Sequence, residues 1–128
     1  MPEFLPQPTR DELDLPTVMA ALSDPIRLTI LRRYLVDGGG AELACGWVGI
    51  DRPKSTLTHH FRTLREAGLI EQRQSGLERR SRVRVDDVAA RFPGLLDIVL
   101  DWHVPSGVLV DPLPAAPRAL ADTAADAR

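Results

Sequence analysis

Apolar residues recur at helical spacing over most of this chain and at strand spacing in one stretch. Val18, Met19 and Leu22 predict a short helix from about Leu15 to Leu22, with Asp14 as its N-cap. Ser23-Asp24-Pro25 restarts the chain, a cap residue followed by a first-turn proline. Ile26, Ile30, Leu31, Tyr34 and Leu35 then predict a helix over about 24–36, with Arg27, Arg32 and Arg33 off its apolar stripe and Gly38-Gly39-Gly40 at its end. Residues 41–48 read as another short helix with Leu43, Ala44 and Trp47 inward, followed by a turn over Gly49 to Pro53.

The central stretch, Asp51 to Val85, has the sharpest pattern. Leu57, Phe61 and Leu64 stand at i, i+4 and i+7, on one side of a helix. The opposite side carries Ser55, Thr56, His59, Arg62 and Thr63. Gly68 stops that helix, and Leu69 and Ile70 begin a strand. Ser75-Gly76 predicts the turn of a hairpin. On its second strand, period-two spacing sends Arg80, Arg82 and Arg84 to one face and Val83 and Val85 to the other. Asp86-Asp87 can cap a helical turn around Val88 to Arg91, and Phe92-Pro93-Gly94 breaks it. A last helix from Pro93 to about Trp102 is apolar over more than one face, an excess that suggests burial against a second copy of the chain. The pattern as a whole predicts a mainly α fold with a small β-hairpin, an α+β winged helix-turn-helix.

Composition bounds this picture without changing it. The 128 residues suit one domain. Three parts divide off: residues 1–13, rich in proline and acids, as an N-terminal arm, 14–104 as the folded domain, and 105–128, rich in Ala, Pro and Asp, as a flexible tail. No apolar run approaches the roughly 20 residues that span a bilayer, and no signal peptide is visible. The single cysteine, Cys45, rules out an internal disulfide and makes the cytoplasm the default location.

Charge does change the picture. The chain carries a net −2, yet residues 52–84 hold nine Lys and Arg against three acids, a local +6 that leaves −8 for the rest. A polyanion responds to the local patch, because salt screens interactions beyond about 8 Å. A polar helix beside an arginine-bearing hairpin is suited to double-stranded DNA: helix in the major groove, hairpin along phosphates or the minor groove.

With these residues in place, the sequence resembles the ArsR/SmtB family of bacterial winged-helix transcriptional regulators. The resemblance covers about Met19 to Leu100 and is carried by ALSDPIRLTILRRYL (21–35), KSTLTHHFRTLREAGLI (54–70) and the arginine hairpin. It implies a homodimer joined through the first and last helices, bound to an inverted-repeat operator and acting as a repressor. It places Lys54, Ser55, Thr56, Thr58, His59 and Arg62 on the major-groove helix, and Arg79, Arg80 and Arg82 on the wing.

Arg62 has the reach to pair with guanine, whereas Lys54 and the wing arginines suit phosphates. Metal chemistry is not expected. His59 and His60 are neighbours that point about 100° apart on a helix and cannot chelate one ion well. Cys45 lacks the companion thiolates of a soft-metal sensor, and Asp101-Trp102-His103 lacks the further ligands of a zinc site. Ser55, His59 and Asp51 form no convincing catalytic set, and no phosphate loop or dinucleotide fingerprint is present. The expectation is a regulator with no enzyme activity and no cofactor, whose effector the sequence does not name. The competing reading is a winged-helix module that docks a protein rather than an operator.

Overall fold

The computed structural model describes residues 3–115. Among these residues are five α-helices and a four-stranded antiparallel sheet. The helices are α1 (Leu15–Leu22), α2 (Pro25–Val36), α3 (Lys54–Glu66), α4 (Val85–Arg91) and α5 (Leu95–Asp101). The strands are β1 (Glu3–Phe4), β2 (Leu43–Ala44), β3 (Ile70–Ser75) and β4 (Glu78–Val83), in the order β1-β3-β4-β2, with α2 packed on β4 and α3 on β3. This is the α+β winged helix-turn-helix arrangement that the sequence predicts. Among the described residues no helix is long and apolar enough to cross a membrane.

Local chemistry sets the first two helices. The Asp14 carboxylate accepts the Thr17 amide and hydroxyl, and the Asp24 carboxylate accepts the amides of Ile26 and Arg27. Each aspartate satisfies amides that a helix start leaves without partners. The core then forms around Ile30, Leu31 and Tyr34 of α2 and Phe61 and Leu64 of α3, with Val18, Leu69, Ile70, Val88 and Val99 closing it. Tyr34 meets Phe61 and Trp47 edge-on, at centroid separations of 6.1 and 5.3 Å.

The structure corrects the sequence reading in several places. Residues 41–48 do not form a helix. Leu43 and Ala44 pair with Ser81 and Arg80, and a single 3-10 turn, Cys45–Val48, follows. The open edge of β4 offers backbone partners that a short segment containing Gly46 cannot supply to itself. The Tyr34 hydroxyl, 3.1 Å from the Leu43 and Ala44 carbonyls, ties this strand to α2.

Arg33 is not a surface residue. It is 5% exposed, its guanidinium lies 4.2 Å over the Trp47 ring, and it pairs with Asp37 at 2.7 Å. It also donates to the Val48 and Pro114 carbonyls. Arg84 likewise leaves the face of Arg80 and Arg82. It turns inward, donates to the Pro8 carbonyl and pairs with Asp87 at 2.9 Å. Helix α4 consequently starts at Val85, which is exposed, with Asp86 and Asp87 inside its first turn rather than ahead of it.

Both flanking segments also engage the domain. Glu3 and Phe4 pair with Gln74 and Arg73, and Leu13 is buried. Residues 105–115, placed by the sequence in a loose tail, return across the turn before α3. The Asp51 amide donates to the Val108 carbonyl and the Val110 amide to the Gly49 carbonyl, each at 2.8 Å. The Trp47 indole then donates to the Ala115 carbonyl at 2.7 Å. The remainder of the predicted tail, 116–128, lies outside the described residues.

Candidate nucleic-acid interface

Helix α3 is amphipathic because its two sides have different neighbours. Phe61 and Leu64 are buried against α2 and the sheet. Lys54, Ser55, Thr58, His59 and Arg62 are exposed and form one polar ridge. Thr56 departs from the expected ridge: it is half-buried, as is Thr63. The hydroxyls of Thr58 and Thr63 donate back to the carbonyls of Lys54 and His59 at 3.0 and 3.1 Å. These bonds fix the direction of both hydroxyls and of their methyl groups. Pro53 precedes the helix and caps it with no side-chain hydrogen bond, so the first-turn amides are open to an anion.

Strand register divides the wing arginines into two sets. Gln72, Gln74, Arg79 and Ser81 share the face that turns toward α3, since Gln72 pairs with Ser81 and Gln74 with Arg79. Arg80 and Arg82 lie on the other face, opposite Arg73 and Glu71. There each arginine has a carboxylate: Arg80 meets Glu78 at 2.8 Å, Arg73 meets Glu42 at 2.7 Å, and Arg82 pairs with Glu71. Arg79 instead donates to the Gln74 side chain at 3.3 Å. Among the described residues no carboxylate lies within ion-pair distance of Arg79, Lys54 or Arg52. Arg62 is 4.0 Å from Glu66, with both side chains well exposed.

An open concavity of about 730 Å³ separates α3 from the wing. Lys54, Leu57 and Thr58 form one wall, Gln74, Leu77 and Arg79 the other, and Arg52 stands at the rim. Lys54, Thr58 and Arg79 thus come together as expected, while Arg80 and Arg82 do not join them. Arg52 and Leu77 are additions. Only the run of basic residues pointed to Arg52, and no pattern pointed to Leu77.

Two titratable side chains sit just behind this surface. Cys45 is largely buried, 3.5 Å from both the Ser81 hydroxyl and the Gln72 side-chain nitrogen, and burial pushes its thiol up from the ordinary range. That shift disfavours the thiolate, and the side chain packs against the core. Among the described residues no three His, Cys, Asp or Glu side chains converge as metal ligands.

His60 is 8% exposed, and its Nδ1 lies 3.4 Å from the Arg27 guanidinium. Burial, helped by Arg27, His59 and Arg52 and opposed by Asp24, holds its pKa below the ordinary 6.5. An unfolded chain therefore takes up this proton first as the pH falls. Folding stability from this group is complete above about pH 6.5 and declines below it, until His60 itself titrates. Replacing His60 with Gln should flatten the fall of Tm between pH 7 and 5. Identical pH slopes in the two proteins would contradict the buried, neutral imidazole.

No protein-family model matches the chain. It is 36% identical over 96 residues to the Uncharacterized HTH-type transcriptional regulator YceK of Bacillus subtilis (strain 168), across 73% of this chain and 94% of that protein. An exposed polar helix and a basic wing, together with a sequence match over nearly the whole of such a relative, decide the wider assignment. This chain belongs to the helix-turn-helix transcriptional regulators.

Proposed function

We propose that the protein is a sequence-specific repressor of the ArsR/SmtB type, working in the cytoplasm as a homodimer on an inverted-repeat operator. The observation that carries this reading is the concavity between α3 and the wing, lined by Lys54 and Arg79 with no carboxylate paired to either among the described residues. A phosphodiester strand entering there replaces water and counterions, not an internal ion pair, so its binding is salt-dependent. With the backbone seated, the ridge of Ser55, Thr58, His59 and Arg62 faces base edges, and Thr56 contributes from its half-buried position. Arg62 is the base-reading arginine. Arg80 and Arg82 serve phosphates farther out on the wing. They exchange exposed carboxylates for phosphates, which costs little, because a surface ion pair contributes at most about 1 kcal/mol.

Dimerisation runs through α1 and α5. Leu15 and Met19 on α1, and Ile98 and Leu100 on α5, are exposed large hydrophobics on the two helices the resemblance assigns to the interface. A second copy would cover them and place two recognition helices on successive major grooves. The reading includes no metal, cofactor or catalytic step.

Selection of bound fragments from genomic DNA, followed by anisotropy titration across salt, tests the reading. Arg62→Ala should lose about 1–3 kcal/mol on the selected operator and little on scrambled duplex. Arg80→Ala should weaken both alike and make the salt slope shallower by about one. Equal losses on both duplexes for both variants would refute the division of roles. Failure of the wild type to retain DNA at low salt would favour a protein-docking module.

A further inference from the structure

We propose that Leu77 is a DNA contact: an apolar wedge that the wing tip lays into the minor groove beside the recognition helix. This rests on the DNA-binding reading above and adds a residue that neither charge nor resemblance assigns.

Leu77 is the most exposed large hydrophobic side chain among the described residues, at 105% of its reference area. Local structure does not require it. The hairpin closes between Ser75 and Glu78, so Gly76 and Leu77 are the two turn residues. Gly76 has φ 64°, which a glycine takes without strain, and Leu77 has the ordinary negative φ open to any polar residue. A leucine there leaves its whole side chain in water.

Its placement is specific. Leu77 lines the same concavity as Lys54, Thr58 and Arg79. Glu78 lines this concavity as well, with its carboxylate engaged by the Arg80 guanidinium at 2.8 Å. The wing's side of the concavity therefore presents an isobutyl group flanked by a carboxylate already paired with Arg80 and by the guanidinium of Arg79, which has no carboxylate partner among the described residues. A minor groove offers the matching surface: apolar sugar walls and base edges between two lines of phosphate. A protein partner needs a contiguous patch of many residues, which one leucine at a hairpin tip does not provide.

The test uses the full chain and the duplex selected from genomic DNA. Leu77→Gln keeps the size and removes the apolar character, while Leu77→Met keeps both. Leu77→Gln should weaken binding about five- to tenfold, as expected for losing partial burial of a leucine. Its Tm and salt slope should stay at the wild-type values, because no packing and no phosphate contact is lost. Leu77→Met should bind within about twofold of wild type. Hydroxyl-radical footprinting should show loss of protected sugars at the flanks of the site in Leu77→Gln, while protection of guanine N7 from methylation by dimethyl sulfate in the major groove is retained. Wild-type DNA binding with unchanged affinity or footprint in Leu77→Gln overturns the wedge and leaves the regulator reading intact. A loss in Leu77→Met equal to that in Leu77→Gln also overturns it. Absence of salt-dependent binding by the wild type overturns both readings.

Discussion

Replacing Gly68 with alanine is expected to destabilise the fold by about 2–4 kcal/mol, lowering Tm by roughly 10 °C. Gly68 follows α3 at φ 86°, in the left-handed region. Its amide donates to the Arg65 carbonyl, and the Leu69 amide donates to the Leu64 carbonyl, which closes the helix and aims the chain into β3. Alanine in that conformation costs about 1 kcal/mol by itself. The larger part of the effect comes from the N-terminal segment. A Cβ on residue 68 would stand 2.0 Å from Leu13 Cδ2 and 2.9 Å from Pro8 Cγ. Leu13 is buried, so its side chain has little room to swing away. Leu13→Ala should destabilise alone, but the double variant should recover at least about 1 kcal/mol relative to the sum of the single changes. Additive losses, or a Gly68→Ala Tm within a degree or two of wild type, would contradict the contact between this segment and the end of α3.

Arg33→Ala is expected to cost about 2–4 kcal/mol, through mechanisms that its sequence position does not suggest. The guanidinium faces three different elements at once: Asp37 at the end of α2, Val48 in the 3-10 turn, and Pro114 in the returning C-terminal segment. Alanine would leave two carbonyls without this donor and take the cation from the Trp47 face. Asp37 is half exposed and loses little. Hydrogen exchange can separate a local effect from a global one. Protection at the Val110 and Asp51 amides, which tie residues 107–115 to the turn before α3, should fall first. Arg33→Lys should restore the charge without the forked geometry and recover only part of the stability. Retained protection at Val110 and Asp51 in Arg33→Ala would show that the C-terminal segment is held by other contacts.

Both expectations concern residues that support α3 without lying on its polar ridge. The N-terminal segment meets the end of α3 at Gly68, and the C-terminal segment pairs with the turn just before its start. Positioning of that helix is therefore distributed over residues far apart in the chain.

The sequence by itself determined what depends on near neighbours. Asp14 and Asp24 cap helices because a carboxylate two or three residues ahead of open amides needs no distant partner. The Leu57, Phe61 and Leu64 spacing, the glycine after α3 and a turn at Gly76 follow from periodicity and from φ preference alone, although the pairing of Ser75 with Glu78 moves the two turn residues from the expected Ser75-Gly76 to Gly76-Leu77. The α+β winged architecture rests on those features, and so does the exposure of Ser55, His59 and Arg62; Lys54 and Thr58 joined that ridge through the resemblance, and Thr56 and Thr63, read onto the same side, are half-buried. Tertiary structure decided what depends on who arrives from elsewhere. The edge strands β1 and β2 exist because β3 and β4 have unpaired backbone to offer. Arg33 and Arg84 are buried because carbonyls at Pro114 and Pro8 reach them, at separations of 81 and 76 residues. The wing arginines divided only once the pairing register put Glu71 and Glu78 beside Arg82 and Arg80 and left Arg79 turned toward α3. A guanidinium reads the same in any sequence; whether it meets water, a carbonyl or a carboxylate is fixed by the packing of segments that no local pattern connects.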